Sequence, residues 1–410
     1  MHILLITHYY EPDSGAAAVR LSRLAKLLHA QGHQITVLTT MPHYPAGEID
    51  AAYRGKWSTD ENRAGIRVIQ VWLWTTSARS IAKRLISQIS FMLMAILRGL
   101  FLPRPDIVLI ENQPMFTGLA GRLLADLKGR PYVLNVSDLW PDHLLTVGAV
   151  TETSLIYRAA RALVDAGYRG AQKIVVLSDG FAKRLTQQQA SVAPKLITQL
   201  NGVDLQKFYP MSSDEIAPFY EKYDIDPSKR WITFMGTFAT QYDFSLLLDV
   251  AQHFLGDSSI GFLYIGTGSQ EETVASTIAQ LGLQNIKRIT WLPHDEMPMA
   301  WNVSTLSYWA LRDDNLFEDI IPAKLYELLA CGVPIVAAQN ALSNQMIHDA
   351  SAGRTVAAGD KDGVIQHIEA LLADDTLRQR MRQNGRSYAE ASFDPERVAK
   401  NYADILQQAM

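Results

Sequence analysis

The sequence predicts an α/β protein of two doubly wound domains, each a largely parallel sheet with helices on its faces. Three observations carry this. Short apolar runs recur along the chain, each followed by a loop and a helical stretch or a long connection. The runs fall into two series, parted by the turn-rich segment Asn201-Gly202-Val203-Asp204. The 410 residues exceed what one hydrophobic core organises, so two domains of about 200 residues are expected.

His2 to Thr7 is an apolar run, and a loop holding Pro12 and Gly15 separates it from a helical pattern with Leu21, Leu24, Leu27 and Leu28 on one side. Gly32 and His33 close that helix, and the run Gln34 to Thr39 completes a βαβ unit. Further strands are expected at Val68–Trp72, Asp106–Ile110, Tyr132–Val136 and Lys173–Leu177, which makes 1–204 one Rossmann-like domain. The second series, Trp231–Met235, Gly261–Ile265, Ile286–Thr290, Thr305–Trp309 and Pro334–Ala337, makes 205–392 another. In 393–410, Val398, Tyr402, Ile405 and Leu406 share a helical face that must dock, and a return to the first domain is expected.

Composition narrows the class. With 48% hydrophobic and 20% charged residues the chain is a folded globular enzyme in type, not a disordered or fibrous one. A net charge of −4 and the absence of any basic run of five argue against a nucleic-acid partner. The single cysteine, Cys331, has no disulfide partner in the chain and no metal-ligand spacing around it, which fits a reducing compartment. The opening MHILLITHYY lacks a basic n-region and a cleavage site and reads as a buried strand, so a cytoplasmic location is expected.

The segment Ile81–Leu102 departs from the pattern. Lys83 and Arg84 stand at its start, no charge follows from Leu85 to Leu97, and Arg98 comes next. The uncharged stretch of 13 residues is shorter than the roughly 20 that span a bilayer. It reads either as a crossover helix on the sheet or as an interfacial helix. In the second reading, which its surplus of apolar residues favours, Phe91, Met92 and Met94 meet lipid while Lys83, Arg84 and Arg98 meet anionic headgroups.

In doubly wound sheets ligands bind beyond the carboxyl ends of the strands, so the loops there should hold the chemistry. The loop His8–Gly15 opens a helix with Gly15, Ala16, Ala17 and Ala18, small enough for an anion to approach the helix end. No G-x-G-x-x-G fingerprint stands there, which disfavours an NAD or FAD enzyme, and Gly266-Thr267-Gly268 alone reads as a tight turn. The segment Ile320–Pro334 says most. Pro322 opens a helix, Lys324 lies in its first turn and Glu327 one turn on, on the same face. They form either a solvated ion pair or a site in which the lysine meets a diphosphate and the carboxylate a ribose. A literal D-x-D, Asp224–Asp226, sits before Pro227 and reads as a turn, so no metal and no other cofactor is expected.

With these residues in view, the sequence resembles the family 4 glycosyltransferases of GT-B fold along essentially its whole length. The likeness rests on the loop after the first strand, R-L-A-K-L-L-H-A-Q-G-H-Q-I-T-V-L-T, N-G-V-D, I-G-T-G-S and P-A-K-L-Y-E-L-L-A-C-G-V-P. M-P-H-Y-P, Y-R-G-K-W and V-S-D-L-W-P-D look like the branch of bacterial polysaccharide fucosaminyl- and fucosyltransferases.

The resemblance implies two facing domains and a retaining transfer from a nucleotide sugar, UDP rather than GDP, held mainly by the second domain. Glu327 matches the second acid of the family's E-x7-E motif, for the ribose, and Lys324 should meet the diphosphate. Pro322, Gly236, Thr237, Gly268, Leu292 and Gly15 belong to the same donor set. Ser137, Asp138, His43 and Tyr44 fall on the acceptor side, where Asp138 either orients the acceptor, acts as a base or holds its loop. Asp319, beside Glu318, takes the place of the first acid. Three departures stand out: Asp319 is one methylene short, Ser137 replaces a common histidine, and Thr237 and Tyr242 replace the arginine and lysine that usually clamp the diphosphate. The front-face transfer implied would then lean on Lys324. The implied acceptor is a polyprenyl-diphosphate-linked sugar at the inner face of the plasma membrane. The competing readings are a nucleotide-sugar 2-epimerase of the same fold and a non-catalytic sugar-binding protein.

Overall fold

A computed structural model describes residues 1–13, 15–44, 46–76, 81–142, 145, 150–313 and 321–410. The chain forms two compact units, Met1–Asn201 with Pro395–Met410, and Gly202–Asp394.

The first unit is built on eight strands: β1 (His2–Ile6), β2 (Gln34–Thr40), β3 (Ser58–Arg63), β4 (Ile66–Val71), β5 (Ile107–Glu111), β6 (Tyr132–Val136), β7 (Lys173–Val176) and β8 (Leu196–Thr198). Their order is β3-β4-β2-β1-β5-β6-β7-β8, parallel except for the β3–β4 hairpin. β1 is central, Ile3 pairing with Ile35 on one side and Ile107 on the other. Such strands are apolar on both faces because helices cover both. One face packs on the helices Ala16–Ala30 and Pro395–Gln408 through Leu21, Leu24, Leu28, Val398, Tyr402, Ile405 and Leu406. The carboxy-terminal helix thus belongs to the first unit. The other face carries Ile81–Leu100, Met115–Lys128 and Leu155–Gly170 through Phe91, Ala95, Leu124, Val164 and Tyr168.

β3 and β8 were not expected. β3 reads S-T-D-E-N-R, with no apolar alternation, because it is an edge strand held by its hairpin. Ala64 and Gly65, at φ of 50° and 86°, turn that hairpin.

The Ile81–Leu100 helix corrects the reading of its lipid face. Phe91 is fully buried and meets the His8 ring edge-on at 5.0 Å, while Met92 and Met94 pack against the core. Phe91 and Ala95 lie four residues apart on the sheet-facing stripe. The outward stripe is instead Ile86, Ile89, Leu93, Leu97 and Leu100. Lys83 and Arg84 are exposed, and Arg98 is engaged by Asp60, Nη2 to Oδ2 2.9 Å. No helix among the described residues is long and apolar enough to cross a membrane.

The second unit has six parallel strands, β9 (Arg230–Met235), β10 (Ile260–Ile265), β11 (Ile286–Ile289), β12 (Ser304–Ala310), β13 (Ile335–Ala338) and β14 (Gly353–Val356), in the order β11-β10-β9-β12-β13-β14. Asp224 and Asp226 form a turn: Asp226 Oδ1 accepts from the Ser228 amide and hydroxyl, and Lys287 pairs with Asp224. A groove of about 740 Å³ beside that turn is lined by Tyr220, Pro227, Trp231 and Lys287, at the amino ends of β9 and β11. Ligands of this fold sit at the opposite ends, so the groove is not the candidate site.

In each sheet the chain runs outward to one side and then to the other. The reversal falls between β1 and β5 in the first unit and between β9 and β12 in the second. Those crevices are the topological switch points.

Candidate functional site

At the switch point of the second unit, β9 ends in the loop Gly236–Asp243, and the helix Ala323–Cys331 follows β12. Pro322 caps that helix with extended backbone, and Gly332 ends it in the left-handed conformation, φ 66°. Its first amides lack intrahelical acceptors, which leaves a partial positive charge at this end.

Two glycines let the flanking loops meet. At Gly266, φ 138°, a Cβ would lie 2.0 Å from the Gly236 carbonyl oxygen. At Gly268, φ 158°, it would lie 2.5 Å from the Phe238 carbonyl oxygen. The close approach is locked by Gly236 N to Ile265 O at 3.0 Å, Phe238 N to Thr267 O at 2.9 Å and Gln270 N to Phe238 O at 2.9 Å. Gly268 therefore acts by shaping the Gly236–Phe238 loop.

Lys324 reaches this loop. A Cβ built on Gly236 would lie 3.9 Å from Lys324 Nζ and 3.7 Å from Tyr242 Oη. Part of the lysine side chain meets solvent, but Nζ is buried and makes no hydrogen bond. It faces the rings of Phe234, Tyr242 and Trp309, 4.7, 4.6 and 4.7 Å from their centroids. Burial pushes its pKa down to about 7. An amine buried at a helix start with no hydrogen-bond acceptor suits an anion, since a buried cation without an acceptor is costly.

Glu327 lies one turn on. Trp301 Nε1 donates to its Oε2 at 2.9 Å and so orients the carboxylate. Burial raises its pKa to about 7, against the Trp301 hydrogen bond and the Lys207 charge. No Lys324–Glu327 ion pair is formed, so the solvated-pair reading does not hold. Thr237 is exposed at the loop tip, and Leu292 is half-buried in the segment after β11. Asp319 and Glu318 lie outside the described residues.

The first unit has its own polar cluster at the β1–β5 switch point. Gly15 opens the Ala16–Ala30 helix under the Tyr44 ring, where a Cβ would sit 3.3 Å from Cε1. Asp13 Oδ1 accepts from the amides of His43 and Tyr44, both at 2.9 Å, and so holds their loop. Burial lowers the His43 pKa, with Asp13 opposing.

Ser137 and Asp138 follow β6. Ser137 Oγ donates to Glu111 and to Gln113 Oε1 at 3.0 Å. Glu111, fully buried at the end of β5, also accepts from Arg20 Nη2 at 2.7 Å and Asn135 Nδ2 at 2.6 Å. Tyr402 Oη completes the network, donating to Asn135 Oδ1 at 2.6 Å. Sequence reading missed Asp13, Glu111, Arg20 and Asn135 as site residues. The one available signal was Glu111 itself, a carboxylate closing the apolar run Ile107–Ile110.

Comparison with known proteins agrees with this architecture. Residues 15–199 match a glycosyl transferase 4-like domain, and 216–388 match glycosyl transferases group 1. Escherichia coli (strain K12) WcaI, named as a colanic acid biosynthesis glycosyl transferase, is 22% identical over 99% of this chain and 100% of its own length. Alpha-maltose-1-phosphate synthase of Mycobacterium tuberculosis is 22% identical over 73% of this chain and 78% of its own.

Among solved structures, sucrose-phosphate synthase from Thermosynechococcus elongatus superposes with TM-score 0.77 at 15% identity, covering 99% of this chain and 98% of that one. Anabaena HepE in complex with UDP and glucose does so with TM-score 0.72 at 15% identity, covering 99% of each. Two glycosyltransferase domain models, one matched in each unit, and the GT-B architecture of both sheets place the chain among the family 4 glycosyltransferases.

Proposed function

We propose that this enzyme transfers a sugar, with retention, from a UDP-sugar to a lipid-linked saccharide in bacterial surface polysaccharide synthesis, such as O-antigen or capsule. The observation that carries the reading is the buried, unpartnered Nζ of Lys324 beside the Ala323 helix start and Gly236. A nucleoside diphosphate suits these groups, with two phosphates for the lysine and the helix-start amides and two ribose hydroxyls for Glu327. A preorganised cation and helix dipole would stabilise the departing diphosphate without a metal. The UDP held by Anabaena HepE and the colanic acid role in the name of WcaI favour this donor and pathway class. A donor sugar of the N-acetyl-fucosamine type rests on the branch motifs alone.

On the acceptor side, Asp138, Ser137 and the His43–Tyr44 loop bound the β1–β5 crevice, where Asp138 would orient the attacking hydroxyl. The acceptor we favour is a polyprenyl-diphosphate-linked sugar. Its support is the exposed stripe Ile86, Ile89, Leu93, Leu97 and Leu100, continued by Phe101 and by Leu123 and Leu127 of the neighbouring helix. Lys83 and Arg84 at its end suit anionic headgroups of the inner membrane face.

Calorimetric titration of UDP, GDP and their sugars tests the donor site. Binding of UDP that Lys324→Ala and Glu327→Ala each abolish is the expected result. A wild type that binds none of these nucleotides would overturn the reading.

A further inference from the structure

Three aromatic rings surround the amine on which the proposed donor site turns. Phe234 comes from β9, Tyr242 from the loop that follows it and Trp309 from β12, and each ring centroid stands 4.6 to 4.7 Å from Lys324 Nζ. The rings are themselves braced. Phe234 and Tyr242 meet edge to face at 5.0 Å. Trp309 Nε1 donates to Gln339 Oε1 at 2.7 Å, and Gln339 in turn donates to Ser343 and Asn344. No carboxylate among the described residues pairs with Nζ.

A buried lysine normally solves its desolvation by taking a counter-ion or by losing its proton. A carboxylate partner would compete with the diphosphate, and a neutral amine would not attract it. Ring faces offer a third solution, because the aromatic quadrupole favours the cation yet occupies none of its N–H groups.

We propose that Phe234, Tyr242 and Trp309 form an aromatic box that holds Lys324 as an ammonium without a counter-ion, reserving its three N–H groups for the donor diphosphate. The inference rests on the donor reading above and assigns these three side chains as positioning residues. The rings act against the burial that lowers the lysine's pKa. The other titratable groups near it are the Tyr242 hydroxyl, which burial pushes up to about 12, and Glu327 one turn along its own helix.

The test separates ring from packing by paired variants, Trp309→Phe against Trp309→Leu and Tyr242→Phe against Tyr242→Leu. In the free protein, lysine labelled with 13C at Cε is titrated by NMR, the Lys324 signal being assigned by its loss in Lys324→Met. The Leu variants should lose the Lys324 proton at a pH about 1 lower than wild type, and the Phe variants should not.

UDP-glucose affinity is then measured from pH 5.5 to 8.5. The Leu variants should bind about tenfold more weakly than wild type at pH 8.5 and approach it at pH 5.5, where Lys324 is protonated in both. An unchanged Lys324 titration in both Leu variants, or a loss of affinity equal at every pH, would overturn the proposal. A wild type that shows the titration but binds no UDP-glucose, UDP or GDP would overturn the donor reading and leave the box standing.

Discussion

Glu327 makes the pH dependence of donor binding calculable in sign. In the proposed donor site its carboxylate would have to be ionised to accept two ribose hydroxyls, and burial raises its pKa to about 7. Nucleotide-sugar affinity should therefore fall as pH drops below 7, approaching tenfold per pH unit. Glu327→Gln should bind about 10–100-fold more weakly at pH 8, as expected for losing hydrogen bonds to a charged acceptor, and should lose the acid limb. Affinities measured by calorimetry at pH 5 and 7, for the acid limb, and at pH 8, for the variant against wild type, check both. Lys324 and Glu327 were legible in the sequence because their spacing on one helix is local. Phe234 and Trp309 were not, and Tyr242 stood out only as a departure at the expected diphosphate clamp, since the three rings converge on Nζ from two strands and a loop. In the proposed mechanism Lys324 and amide dipoles supply the positive charge, so activity should survive EDTA unchanged; a chelator-sensitive rate restored by Mg²⁺ would refute that proposal.

At the scale of single elements, the Ile81–Leu100 helix shows how far periodicity reaches. Its apolar surplus was visible in the sequence, but which residues face the core depends on rotation about the helix axis, set by contacts with β2, β4 and the Met115–Lys128 helix. The two stripes make opposite predictions. Phe91→Ala removes a fully buried ring and should cost about 3–5 kcal/mol of stability in chemical denaturation. Leu93→Glu with Leu97→Glu changes exposed positions, so stability should move by less than about 1 kcal/mol. The same double variant should lose sedimentation with vesicles containing anionic phospholipid. Undiminished vesicle binding would remove the membrane reading of the stripe. The β3 edge teaches a complementary lesson: a strand with solvent on one side and a single partner carries no apolar code to read.

For the molecule as a whole, the carboxy-terminal helix ties the end of the chain to its beginning. Tyr402 is fully enclosed and donates to Asn135, 267 residues away, which in turn supports Glu111 at the β1–β5 crevice. Tyr402→Phe leaves Asn135 Oδ1 without this donor and should cost about 1–3 kcal/mol. Deleting Pro395–Met410 uncovers the face around Leu21, Leu24 and Leu28, and the remaining chain should unfold at lower denaturant or aggregate. Equilibrium denaturation of both variants gives the measurement.

By itself the sequence determined the two series of strands apart from β3, β8 and β14, the docking face of the last helix, the cysteine's inertness to pairing and the Lys324–Glu327 helix. Each is encoded within a few residues by apolar period, helix-start chemistry or glycine and proline. Only the tertiary structure decided which way the Ile81–Leu100 helix turns, that Gly266 and Gly268 serve the Gly236 loop, and that Lys324 is boxed by rings rather than paired. Those outcomes join groups from separate strands, and their energies exist only once the sheet has brought them into contact.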